Sequence, residues 1–135
     1  MYELFEHTAD LGLRVRAPDL PRLFEDAAAG LFSMIVEELP RGGDRRIEVR
    51  IEGQRYDYLL FDWLNELLYR FETEQLILGE FSVQLDPAGL RAEARGERAD
   101  PERHRLLHEV KAITYHRLLV EQRNGDWFAE LIVDI

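Results

Sequence analysis

Residues 11–38 read LGLRVRAPDLPRLFEDAAAGLFSMIVEE, and two different periods meet inside them. Leu13 and Val15 alternate with Arg14 and Arg16, the pattern of a strand with one buried face. Past Pro18 the apolar residues Leu20, Leu23, Phe24, Ala27, Ala28, Leu31, Phe32 and Ile35 recur at intervals of three and four, as on one side of a helix. Asp19 is placed to cap that helix, and Pro21 is tolerated in its first turn. The stretch therefore predicts a strand over 11–17 and a helix from Leu20 to about Glu37. A strand feeding straight into a long amphipathic helix points to a sheet with helices packed on it.

The rest of the chain extends this pattern. LPRGGDR (39–45) is a loop, punctuated by Pro40 and two glycines. RIEVRIEG (46–53) alternates cleanly, with Ile47, Val49 and Ile51 on one face. Tyr56, Leu60, Trp63, Leu64, Leu67 and Phe71 share one face of a second helix over 56–74. EFSVQLDPAGLRAEARGE (80–97) reads as a hairpin around the turn DPAG. DPERH (100–104) offers a short capped helical turn. The segment EVKAITYHRLLVEQ has an ambiguous period, but its β-branched and aromatic residues predict a strand from about Ala112. Asn124-Gly125 then turns the chain into a closing strand over 127–135. The sum is an α+β fold: a single domain over 1–135, with a mixed β-sheet and two main helices packed on it.

Composition narrows the functional classes. The 135 residues are 46% hydrophobic and 33% charged, within the range of folded soluble domains. No apolar run is long enough to span a bilayer, and MYELFEHTAD carries acids where a secretory leader needs bases. With no cysteine, thiol catalysis, disulfides and zinc–thiolate sites are excluded. A cytoplasmic location is the expectation. The formal net charge of −10 argues against direct binding of DNA or RNA, where affinity comes from neutralising phosphates. Charge is also segregated: bases gather over 41–50 and 91–105, whereas acids dominate from Asp57 to Glu80, with Arg70 the sole base there. Sixteen of the 17 basic residues are arginine, so the single lysine, Lys111, stands out as a candidate for a specific role.

Few residues offer chemistry. No phosphate-binding glycine loop, nucleophile elbow or zinc-spaced histidine pair is present. His7, Thr8 and Asp10 cluster in EHTADLG just before a strand, where Thr8 and Asp10 are suited to satisfying turn backbone donors. Asp62, Asn65 and Glu66 form a polar face on the second helix. Asp62 and Glu66 stand four apart there, a like-charge pair that favours a nearby cation. The closing AELIVDI places Asp134 beside the Ile135 carboxylate. If the strands at the two ends of the chain are neighbours, Asp10, Asp134 and that carboxylate converge as an oxygen-rich site for a hard divalent cation.

Motifs along nearly the whole chain resemble the archease family: HTADLG (7–12), FDWLNELLYRFETE (61–74), GE (96–97), DPERHR (100–105), EVKAITYH (109–116) and VDI (133–135). RLLHEVKA departs from the family pattern at Leu107 and His108. The resemblance implies a protein cofactor and not an enzyme in its own right. Its partner would be the RtcB-type RNA ligase of tRNA splicing, whose metal-dependent guanylylation and multiple turnover archeases promote. tRNA would be met only through that ligase. The resemblance further implies a bound divalent cation, usually assigned as Ca²⁺, with Mg²⁺ or Mn²⁺ admitted by the same ligands. Asp10, Asp134 and Ile135 would hold it, Lys111 would join the same functional cluster, and His7 matches the first motif. The competing readings are a stand-alone metal-dependent phosphohydrolase and a general chaperone of RNA-processing enzymes.

Overall fold

A computed structural model of the chain describes residues 1–7 and 9–135. The suggested role of Thr8 in the turn lies outside the described residues. Ten elements succeed one another: β1 (Tyr2–His7), β2 (Asp10–Ala17), α1 (Leu20–Ile35), β3 (Arg45–Glu52), α2 (Tyr56–Glu74), β4 (Leu76–Asp86), β5 (Gly89–Arg98), β6 (Ala112–Ile113), β7 (Leu119–Arg123) and β8 (Asp126–Asp134). The expected α+β class with two main helices holds. The single mixed sheet resolves into two sheets, and every strand pairing among the described residues is antiparallel.

The larger sheet runs β1–β2–β8–β6, with β7 also on β8; the smaller runs β3–β5–β4. Leu13, Val15 and Ala17 turn inward from β2, as do Leu131 and Val133 from β8. α1 packs against strands of both sheets, so most of its circumference is buried. It starts as its sequence requires, with the Asp19 carboxylate accepting the Arg22 N–H at 2.9 Å. α2 contributes Leu60, Trp63, Leu64 and Leu67 to the same core, while Tyr56, expected on its apolar face, is exposed. Burying these large side chains is the main favourable term in folding.

The hairpin β4–β5 forms as read. Asp86 accepts the N–H groups of Ala88 (2.7 Å) and Gly89 (3.2 Å), and Gly89 supplies the positive φ of 144°. Gly96 answers a tighter demand. A β-bulge between Leu78 and Glu80 presses β4 onto β5, and a Cβ at position 96 would lie 1.9 Å from the Ile77 carbonyl oxygen. The oxygen belongs to the backbone and the position of a Cβ is set by it, so the clash cannot be relieved by a rotamer change. Gly96→Ala is expected to cost about 1–3 kcal/mol, as overpacking does, and to lower the thermal midpoint accordingly. An unchanged midpoint would show that the strands separate freely here.

After β5 the chain is tied down before it reaches Lys111. Asp100 caps the predicted single turn, accepting the Glu102 N–H at 3.0 Å. His104 is nearly buried: its Nδ1 accepts the Asp100 N–H at 2.8 Å and its Nε2 meets Glu97 at 2.6 Å. Hydrogen bonds from Arg103 and His104 hold the Glu97 carboxyl below its usual range. Backbone bonds from Leu107 to Ile35 and from His108 to Met34 then fasten the segment to the end of α1.

The larger sheet departs from the sequence reading in two places. β1 was not expected; it pairs along all of its length with β2, from Tyr2↔Val15 to His7↔Asp10. The strand expected from Ala112 is broken into β6 and β7. Both lie on β8, but residues 113 and 119 face 133 and 130, so the chain takes six steps where β8 takes three. The surplus loops out at 114–118, with Arg117 in the left-handed region at φ 59°. Thr114 anchors the loop by donating its hydroxyl to the Ile132 carbonyl at 2.7 Å.

Candidate functional site

The register of the larger sheet brings the two ends of the sequence together. Leu11 pairs with Val133, so Asp10 and Asp134, one step further on, end neighbouring strands at the same level. The two aspartates lie just beyond the last rung of that pairing. Asp134 pairs on its other side with Ala112, and the Lys111 N–H donates to the Asp134 carbonyl at 2.8 Å. Asp10, Asp134, Ile135 and Lys111 are thus gathered at one end of the sheet by main-chain pairing alone.

Asp10, Asp134 and Ile135 are half-buried, whereas Lys111 is exposed. Among the described residues neither aspartate has a side-chain hydrogen bond or an ion pair. Two like charges at the ends of neighbouring strands repel, which costs a few tenths of a kcal/mol unless a cation neutralises them. The donor set is all oxygen, the chemistry that a hard divalent cation prefers. It is also incomplete: among the described residues no three His, Asp or Glu side chains gather in a metal-holding group. The two aspartates would need the Ile135 carboxylate, carbonyls and water to complete a coordination shell.

His7 ends β1 opposite Asp10, and its Nδ1 is buried with no hydrogen-bond partner among the described residues. Its ring meets that of His116 edge to face, with centroids 5.2 Å apart. The looped 114–118 segment delivers His116, which sequence reasoning missed because no spacing in the chain links positions 7 and 116. Next to this pair the outer face of the sheet is closed by charge. Glu130 accepts from Arg14 at 2.7 Å and from Arg117 at 2.9 Å, and the Arg14 guanidinium lies 4.1 Å over the Phe5 ring. The bond to Glu130 holds Arg14 above its ordinary value. Phe5 lies flat on Gly12, where a Cβ would sit 2.0 Å from the ring. The glycine of HTADLG is therefore a seat for Phe5.

The polar face of α2 divides differently. Glu66 is paired with Arg70 at 3.1 Å, so the cation that the Asp62/Glu66 pair asked for is supplied within the helix. Asn65 and Asp62 are exposed, and Asp62 lines a hollow with Asp57, Tyr58, Tyr115 and Leu118.

Comparison with known proteins agrees with this architecture. The model of the Archease protein family (MTH1598/TM1083) matches residues 2–135. Protein archease of Pyrococcus furiosus is 40% identical, over 99% of this chain and 98% of its own length. Protein archease of Methanopyrus kandleri is 38% identical, over 99% of each. Among solved structures, protein 1598 of Methanobacterium thermoautotrophicum superposes with a TM-score of 0.83 at 34% identity, covering 99% of this chain and 98% of that one. A Thermotoga maritima protein, described as an archease and possible chaperone, shares the fold with a TM-score of 0.71 at 19% identity, covering 100% and 98%. The chain belongs to the archease family.

Proposed function

We propose that the chain is a protein cofactor that activates an RtcB-type RNA ligase of tRNA splicing, promoting its metal-dependent guanylylation and multiple turnover. The supporting observation is the pair of aspartates, Asp10 and Asp134, at the ends of adjacent strands beside Lys111 and without a side-chain partner among the described residues. Asp10, Asp134 and the Ile135 carboxylate would hold a divalent cation, calcium in the first instance and magnesium or manganese otherwise. Such a cation supplies positive charge where phosphate oxygens must be oriented and neutralised, which is most of what phosphoryl transfer requires.

The chain's own residues fill the remaining roles. Main-chain pairing, of Asp10 with His7 and of Asp134 with Ala112, fixes the backbone from which both carboxylates project. The Lys111 ammonium, exposed and without an ion pair among the described residues, is available to an anionic group of the ligase or its nucleotide. The net charge of −10 suits a domain whose partner, in the cytoplasm, is the one that grips RNA.

Adding residues beyond Ile135 tests the ligand set without changing an internal position. Calcium titration is expected to show at least about tenfold weaker binding in the extended chain, as removal of one carboxylate ligand implies. Binding and ligase turnover equal to those of the unextended chain would remove Ile135 from the site and leave the aspartates. A general chaperone, the role suggested for the Thermotoga protein, would instead protect unrelated clients from aggregation. Comparing an unrelated aggregating protein with the ligase separates the two readings.

A further inference from the structure

Tyr56, Tyr58 and Tyr115 are 40, 46 and 61% exposed, an unusual share of aromatic surface in one region. Tyr58 meets Tyr115 edge to face with centroids 6.1 Å apart. Tyr115 in turn stacks on Phe61 at 4.0 Å, nearly parallel. Phe61 packs against the core, so Tyr115 rests on a fixed platform although it is the most exposed of the three. Asp57, Tyr58, Asp62, Tyr115 and Leu118 line a hollow there.

The two acids of this hollow are in different states. Asp57 accepts from Arg55 at 2.8 and 3.2 Å, while the same guanidinium lies 4.2 Å over the Tyr58 ring. Asp62 is exposed and has neither a hydrogen bond nor an ion pair among the described residues, and no guanidinium lies over Tyr115. The chain thus shows one arginine held between a tyrosine face and a carboxylate, and beside it a second tyrosine and carboxylate without one.

We propose that this hollow is a docking site for an arginine side chain carried by a basic segment of a partner protein. A guanidinium stacks on a tyrosine while forking onto a carboxylate, and it sheds water more readily than an ammonium does. Acids dominate the chain from Asp57 to Glu80, and this field favours approach by a positively charged partner and disfavours nucleic acid or an anionic membrane. Exposed tyrosines add the rigid contact area typical of protein interfaces. The site does not depend on the ligase reading, since any partner with an arginine-bearing basic segment satisfies it.

The test uses the full chain and an oligoarginine peptide, monitored by amide chemical shifts. Saturable binding is expected, with shifts confined to the start of α2 and residues 114–118. Asp62→Asn and Tyr115→Ala should each weaken binding by roughly tenfold, the size of one charge-assisted or cation–π contact. Tyr115→Phe should restore it. Glu72→Gln removes the same charge from an exposed position further along α2 and should change affinity less than about twofold. Equal losses from Glu72→Gln and Asp62→Asn would reduce the effect to bulk charge and overturn the proposal. So would spermine binding as tightly as the peptide. Concentration-dependent self-association lost in Asp62→Asn would assign the surface to a second copy of the chain and overturn it as well.

Discussion

Asp10→Ala is expected to abolish stimulation of the partner ligase while leaving the chain as stable as before, or slightly more so. The geometry sets the sign of the stability effect. Asp10 and Asp134 lie just beyond the last rung between β2 and β8, Leu11↔Val133, and Asp10 has no side-chain partner among the described residues. Its removal lessens like-charge repulsion at this end of the sheet, worth a few tenths of a kcal/mol. Losing a ligand carboxylate should weaken calcium binding by more than the roughly 10–100-fold typical of losing an outer-shell partner. Lys111→Ala should be equally silent in stability, because the bond from this residue to Asp134 is made by its backbone N–H, which alanine keeps. Yet it too should abolish stimulation. Thermal melts, calcium titration and ligase turnover on the same preparations give the three readouts. Normal turnover with either variant would remove the aspartate–lysine cluster from the functional account.

Trp63→Ala acts at the other extreme, through the fold. Trp63 is fully buried between the helices and the smaller sheet, edge to face with Phe81, and its indole N–H donates to the Phe24 carbonyl at 3.0 Å. Truncation removes the ring and opens a cavity, which costs about 3–5 kcal/mol in a well-packed core. Against a typical domain stability of about 5–15 kcal/mol, this is a large fraction of the whole. Trp63→Phe keeps most of the volume but loses the donor, and should cost about 1–3 kcal/mol. Denaturant unfolding measures both. Near-equal losses would mean that the hydrogen bond, not the ring, is what Trp63 contributes.

Where one face of an element is buried, its period in the sequence was readable. Asp19 and the three-and-four spacing after it located α1, and Asp86 with Gly89 located the β4–β5 turn. β1 escaped because YELFEH does not alternate by burial: Leu4 is 39% exposed, whereas Phe5 is tucked over Gly12 on the outer face. The break between β6 and β7 escaped for a different reason. β-Branched and aromatic residues mark the whole segment as strand, and only its register on β8 shows that 114–118 cannot continue it. The site divides the same way. Asp10, Asp134, Ile135 and Lys111 were recognisable as motif residues, but their adjacency is a property of β2–β8 and β6–β8 pairing between distant segments. The contact of His7 with His116, and the hollow around Tyr115, both depend on the excursion that the sequence concealed.

The most direct measurement is the rate at which a partner RtcB-type ligase becomes guanylylated, with labelled GTP and divalent metal, in the presence and absence of this chain. A protein cofactor of that ligase should speed formation of the ligase–GMP adduct and change a single turnover into many. An adduct that forms at the same rate and to the same extent with and without the chain would contradict that role.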